Sequence, residues 1–170
     1  MQNEVLHNTD PMKGYGLIAA LMLLALFVRP APAAADLTAF WGVSPTPSSR
    51  TAKGVAIGLG LLVVGFEFEY GKIAEDEAQA APELTTGMGN LVVMTPTFKV
   101  QLYGTTGGGL YHERFRDYTN TSFGTNVGGG VKIALAGPIR LRVDYRVFNL
   151  NGTPILNHVH RVYAGLSLSF

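Results

Sequence analysis

The residues of this sequence that could do chemistry are few and scattered. His158 and His160 stand two apart near the C-terminus, and His112 lies further up the chain. Residues two apart on an extended chain share a face, so this pair could place two imidazoles at one point. A zinc-type site needs three or four converging ligands, and no spacing in the chain adds the others. A serine nucleophile needs a histidine within reach and an acid to orient it. Ser122 and Glu113 are the partners on offer to His158 and His160, but no spacing in the chain fixes their geometry. Glu67 and Glu69 at i and i+2 would lie roughly 7 Å apart on a strand, a separation suited to paired carboxylates. Arginines expected on the same surface make structural ion pairs the better reading. The glycine runs Gly107–Gly109 and Gly128–Gly130 lack the Gly-Lys-Ser/Thr ending and the helix of a phosphate loop. Trp41, Tyr70, Tyr111, Tyr145 and Tyr163 suit membrane-interface positions or interior filler better than a ligand cage. No catalytic, metal or cofactor-binding residue is expected, and no cofactor.

The elements that carry these residues are strands. The last segment, His158–Phe170, puts Val162, Ala164, Leu166, Leu168 and Phe170 on one face and Arg161, Tyr163, Gly165, Ser167 and Ser169 on the other. A side-chain period of two is a strand with one apolar face. Ile139–Phe148 shows the same period more sharply. Ile139, Leu141, Val143, Tyr145 and Val147 alternate with Arg140, Arg142, Asp144 and Arg146. Further strands are expected at Leu37–Ser44, Ala52–Leu61, Gly65–Lys72, Thr85–Met94, Thr97–Tyr111 and Ser122–Leu135. In the second, Val55, Ile57, Leu59 and Leu61 oppose Gly54, Ala56, Gly58 and Gly60. In the third, Phe66, Phe68 and Tyr70 oppose Glu67 and Glu69. A single strand over 52–72 would be about 70 Å long, so a tight reversal is expected near Val63–Gly65.

Longer polar connections (45–51, 73–84, 112–121, 149–157) alternate with tight turns (62–65, 95–96, 136–138). The acidic stretch 73–84 has room for one helical turn. This alternation predicts an all-β, eight-stranded antiparallel up-and-down transmembrane β-barrel, with both termini at the turn rim. The arginine row decides which face meets lipid. Each arginine at mid-depth against hydrocarbon would cost about 2–4 kcal/mol. Inside the barrel the arginines can pair with Glu67, Glu69 and Asp144. Glycines on the second, fifth and sixth strands would make room for them. An eight-stranded barrel is narrow and filled by side chains, so an internal polar network is expected and an open pore is not. Gly104–Gly109 and Gly124–Gly130 echo one another on adjacent strands, as repeated hairpin units would.

Composition agrees. Charged residues are 15% of the chain, well below the average of about 25%, and the formal charge of +1 suggests no nucleic-acid partner. The absence of cysteine removes disulfides, thiolate chemistry and an acylated cysteine anchor. An uninterrupted apolar run at 17–28 follows Lys13 and leads to Ala31-Pro-Ala-Ala-Ala35. It is short for a membrane helix, which needs about 20 residues, and it has the layout of an export signal. Residues 1–35 are read as a signal peptide cleaved after Ala35, with cleavage after Ala33 as the alternative. Met12 is an alternative start. Residues 36–170 are then the barrel domain.

On the export signal, the eight alternating strands and the ending Tyr163-Ala-Gly-Leu-Ser-Leu-Ser-Phe170, the chain resembles bacterial outer-membrane β-barrel proteins of the small OmpA- and OmpX-like kind. The resemblance spans 36–170. It implies a location in the cell outer membrane, contact with outer-membrane lipids, and recognition of the terminal strand by the barrel-assembly machinery through Phe170, Leu168, Leu166 and Tyr163. It implies a monomer with a structural or surface-interaction role, binding any surface ligand through its loops. Some barrels of this kind are lipid A deacylases, which is one alternative. A soluble periplasmic barrel binding a small apolar ligand is another. No peptidoglycan-binding domain follows the barrel, so anchoring of that sort is not implied.

Overall fold

The computed structural model describes residues 34–61, 63–97 and 99–170. The apolar run at 17–28 lies outside them. Eight strands follow in order: β1 Ala34–Ser44, β2 Arg50–Leu61, β3 Val64–Ile73, β4 Glu83–Met94, β5 Val100–Phe115, β6 Tyr118–Ala136, β7 Ile139–Leu150 and β8 His158–Ser169. Each pairs antiparallel with the next, and β8 pairs back onto β1, so the sheet closes into a barrel. Closure removes both sheet edges, which would otherwise present unpaired backbone groups.

The period-two pattern explains the two faces. Along β3, Val64, Phe66, Phe68 and Tyr70 are exposed while Gly65, Glu67 and Glu69 are buried. On β2, Val55, Ile57, Leu59 and Leu61 form an exposed apolar row. The outer wall is an apolar band, and Trp41 on β1 is its most exposed strand residue at 71%. The arginines of β7 point inward, as the alternation requires: Arg142 and Arg146 are buried. Interior glycines let long side chains approach the wall. A Cβ on Gly128 would lie 2.8 Å from Arg146 Cγ, and one on Gly71 would lie 2.7 Å from an Arg161 guanidinium nitrogen. Only part of each glycine run serves this purpose, because Gly108 and Gly129 take the outward positions. The two echoing segments pair directly with each other, Gly109 opposite Gly124 and Gly104 opposite Gly129.

Several boundaries differ from the sequence reading. The reversal between β2 and β3 falls between Leu61 and Val64, because the ladder continues to that pair and takes Gly65 into the strand. β5 begins at Val100 rather than Thr97. The 95–99 connection is held by the Thr95 backbone N–H donating to the Leu102 carbonyl at 2.9 Å and by the Leu102 N–H donating to Thr95 Oγ1 at 3.0 Å. The largest change is at 112–121, which is no loop. β5 and β6 run on as a hairpin to a two-residue turn at Arg116–Asp117, with Arg116 in the left-handed region at φ 52°. Its charges keep the strand period: Glu113 turns inward, while His112 and Arg114 turn outward. The 74–82 connection contains a single 3-10 turn, Glu77–Gln79, capped by Asp76. The last long loop shortens to 151–157 as β7 extends to Leu150.

Candidate functional site: the lumen and the loop rim

The interior carries the densest chemistry in the molecule. Arg142 on β7 forms a bidentate pair with Glu67 on β3 and meets Asp144 at 3.1 Å. Arg146 reaches Glu67 at 2.6 Å and Asp144 at 3.0 Å. It also approaches Glu69 at 3.0 Å, as an ion pair without hydrogen-bond alignment. Arg161 on β8 pairs with Glu69 at 2.6 Å. The Tyr103 hydroxyl donates to Asp144 and accepts from Arg142 Nε at 2.7 Å. Nearer the turn rim, Lys132 meets Asp36 at 2.5 Å, and the Ser169 hydroxyl donates to the same carboxylate. Four cations thus face four carboxylates, the balance that buried charges require.

Aromatic rings pack around the cations. The Arg161 guanidinium lies over Phe40 and Phe148, each at 4.8 Å, and over Tyr163 at 5.1 Å. Phe40 and Tyr163 stack at 4.1 Å. Such contacts favour a desolvated cation. Asn126 Nδ2 donates to Asn90 Oδ1 at 2.7 Å, which ties β6 to β4. Of the aromatic residues weighed as interface or filler, Trp41, Tyr70 and Tyr145 lie on the outer wall; Tyr111 and Tyr163 lie in the lumen.

The expected partners Glu67, Glu69 and Asp144 are therefore the ones the arginines take. Arg161 and the Lys132–Asp36 pair were missed, although Arg161 stands on the polar face of the last strand and so carried a signal. A second omission is the apolar plug at the loop end of the lumen. Ala52, Ile73, Leu84, Met88, Tyr111, Phe148, Leu150 and Val159 pack there. Above it, Arg50 donates to the Pro82 and Thr46 carbonyls at 2.5 and 2.7 Å. Glu113 accepts from the Ile155 backbone N–H at 3.1 Å. In the exposed 74–82 loop, Asp76 accepts from the Ser48 hydroxyl at 2.6 Å and from the Ala78 and Gln79 backbone N–H groups. The Ser48 bond, with those two behind it, holds the Asp76 carboxyl below the usual carboxylate range.

The residues weighed for hydrolysis do not meet. His158 and His160 share the outer face, as their spacing requires, bonded to Asn149 Oδ1 and the Tyr145 hydroxyl, each at 2.7 Å. His112 is also outward, bonded to Thr121 Oγ1 at 2.7 Å. Ser122 and Glu113 point inward, on the other side of the wall. Among the described residues, no group of three or more His, Cys, Asp or Glu side chains could hold a metal ion. Glu67 and Glu69 are both committed to arginines.

An antiparallel barrel of eight strands, apolar outside and charge-paired inside, has solved counterparts. The fold is that of the small outer-membrane barrels. The N-terminal β-barrel domain of Pseudomonas aeruginosa OprF superposes with a TM-score of 0.60 at 15% identity, over 81% of this chain and 97% of that one. Neisserial surface protein A superposes with a TM-score of 0.61 at 17% identity, over 81% and 96%. The outer membrane enzyme PagL superposes with a TM-score of 0.54 at 12% identity, over 78% and 98%. No family model matches the sequence, and no curated protein matches it. At these identities the likeness to outer-membrane barrels is one of fold. The group includes an enzyme, so the barrel alone does not decide activity.

Proposed function

We propose that this chain is a non-catalytic outer-membrane barrel with a structural or surface-interaction role and no open pore. The observation that carries the reading is the division of its two faces. The outer wall is an apolar band, while the lumen holds buried arginine–carboxylate pairs and an apolar plug. A lipid-facing wall needs the first. The second speaks against an aqueous channel and against an interior site for a small apolar ligand. Separation of Ser122 and Glu113 from His158 and His160 by the barrel wall speaks against the serine–histidine–acid arrangement as a hydrolytic site. The exposed loops, with the hairpin tip at Arg116–Asp117, are the surface on offer to a partner.

Cell fractionation tests the location. The protein should remain in the outer-membrane pellet after carbonate extraction and require detergent for release. Recovery in the soluble periplasm would sink the membrane reading in favour of a soluble barrel.

A further inference from the structure

The outer wall is not evenly ridged. On β3, Phe66, Phe68 and Tyr70 stand outward, each more than half exposed. The neighbouring β4 turns Gly87 and Gly89 outward at the same heights, opposite Tyr70 and Phe68. A Cβ on Gly87 would meet nothing within 4 Å, and one on Gly89 nothing nearer than 3.8 Å. β5 places Gly108 beside Gly89, but the Phe123 ring covers it, 2.7 Å from where its Cβ would stand, so the open floor is β4 alone. A trough therefore runs down the wall, floored by backbone and flanked by aromatic rings on one side and by Leu110 and Phe123 on the other. Toward the turn rim it widens into a groove of about 570 Å³ lined by Ile57, Leu59, Phe66, Phe68, Leu91 and Thr106. A slot one strand wide, walled by apolar side chains, has the shape of a single hydrocarbon chain.

The other end of the trough meets positive charge. Lys53, Lys72, Thr85, His112 and Thr121 are successive ladder partners across β2 to β6. This row lies four residues above the Phe68–Gly89–Gly108 row, about 13 Å along the strands. Lys53 and Lys72 stand directly opposite one another, and like charges so placed repel. Lys72 pairs with Glu83 at 2.8 Å, and Arg114 meets the same carboxylate at 3.3 Å. Lys53 makes no ion pair among the described residues. Two cations thus share one carboxylate and a third, Lys53, has none where the apolar band ends. That surplus fits an anion at headgroup depth.

We infer that this trough is a binding site for a phosphate-bearing membrane lipid. Lys53 and Lys72 hold the phosphate, and one acyl chain lies over Gly87 and Gly89 into the groove below. The inference rests on the reading that the barrel spans a membrane. The test uses Phe68→Trp as a reporter in the groove, in a Trp41→Phe background that removes the only native tryptophan. The barrel is reconstituted in phosphatidylcholine vesicles containing equal mole fractions of either acyl-brominated phosphatidylglycerol or acyl-brominated phosphatidylcholine. Brominated phosphatidylglycerol should quench at least threefold more effectively. Lys53→Gln with Lys72→Gln should erase the difference, and so should Gly89→Leu, which fills the trough without backbone conflict. Heat-modifiable gel migration of each variant verifies that the barrel has formed. Equal quenching by the two lipids overturns the site while leaving the membrane reading intact. A phosphatidylglycerol preference that survives Gly89→Leu overturns the trough as its seat. No quenching by either lipid removes the membrane reading, and the site with it.

Discussion

Arg146 touches three carboxylates from two strands. Replacing it leaves Glu67, Glu69 and Asp144 to share the charge of Arg142 and Arg161 alone. Removing one partner from a buried ion pair costs about 3–5 kcal/mol. Arg146→Leu should therefore lower the temperature at which the folded gel band converts to the unfolded one, and Arg142→Leu with Arg146→Leu should lower it further. An unchanged transition in the arginine variants would contradict the lumen placement. The arginine row was legible because Arg140, Arg142 and Arg146 recur with period two among apolar residues. Arg161 was harder to see, since the residues that follow on its face, Tyr163, Gly165 and Ser167, carry no charge to mark it. Its contact with Glu69 depends on strands far apart in sequence.

β1 and β8 form the seam on which closure depends. Ala35 and Phe170 exchange both backbone hydrogen bonds, at 2.8 and 2.9 Å. Ala34 pairs with Gly60 on the other side. Thr38 and Ser167 hydroxyls meet at 2.7 Å inside the same seam. Export cleavage after Ala35 would cut this ladder, whereas cleavage after Ala33 would leave it whole. Intact mass of the mature protein tells the two apart: the expected cleavage after Ala35 gives a first residue at Asp36 and a seam closed without the Ala35–Phe170 pair, whereas a first residue at Ala34 keeps that pair. Strand existence was readable throughout from the period of two, but two kinds of boundary were not. Charge in 112–121 looked like a loop, yet a strand that rises beyond lipid can be polar on its outer face and keep its ladder. The sequence between Leu61 and Val64 carries no turn residue at all. The reversal is set by the pairing of Leu61 with Val64, which sequence composition does not display.

At the level of the whole molecule, the lumen holds paired charge in the middle and apolar packing at the loop end, which on the proposed reading leaves no pore. Purified barrel in planar lipid bilayers should show no stepwise conductance above the bare membrane. Discrete channel events would require the Arg142–Glu67 and Arg146–Glu69 contacts to part. The struts also have a mechanical meaning. Arg142 and Arg146 tie β7 to β3, Arg161 ties β8 to β3, Asn126 ties β6 to β4, and Lys132 ties β6 to β1. These braces cross the tube in several directions, so its cross-section resists flattening under lateral pressure. If the barrel spans a bilayer as proposed, a cylinder so braced would meet a change of thickness by tilting, or by making the lipids around it stretch or compress, a deformation felt by whatever else shares that ring of lipid.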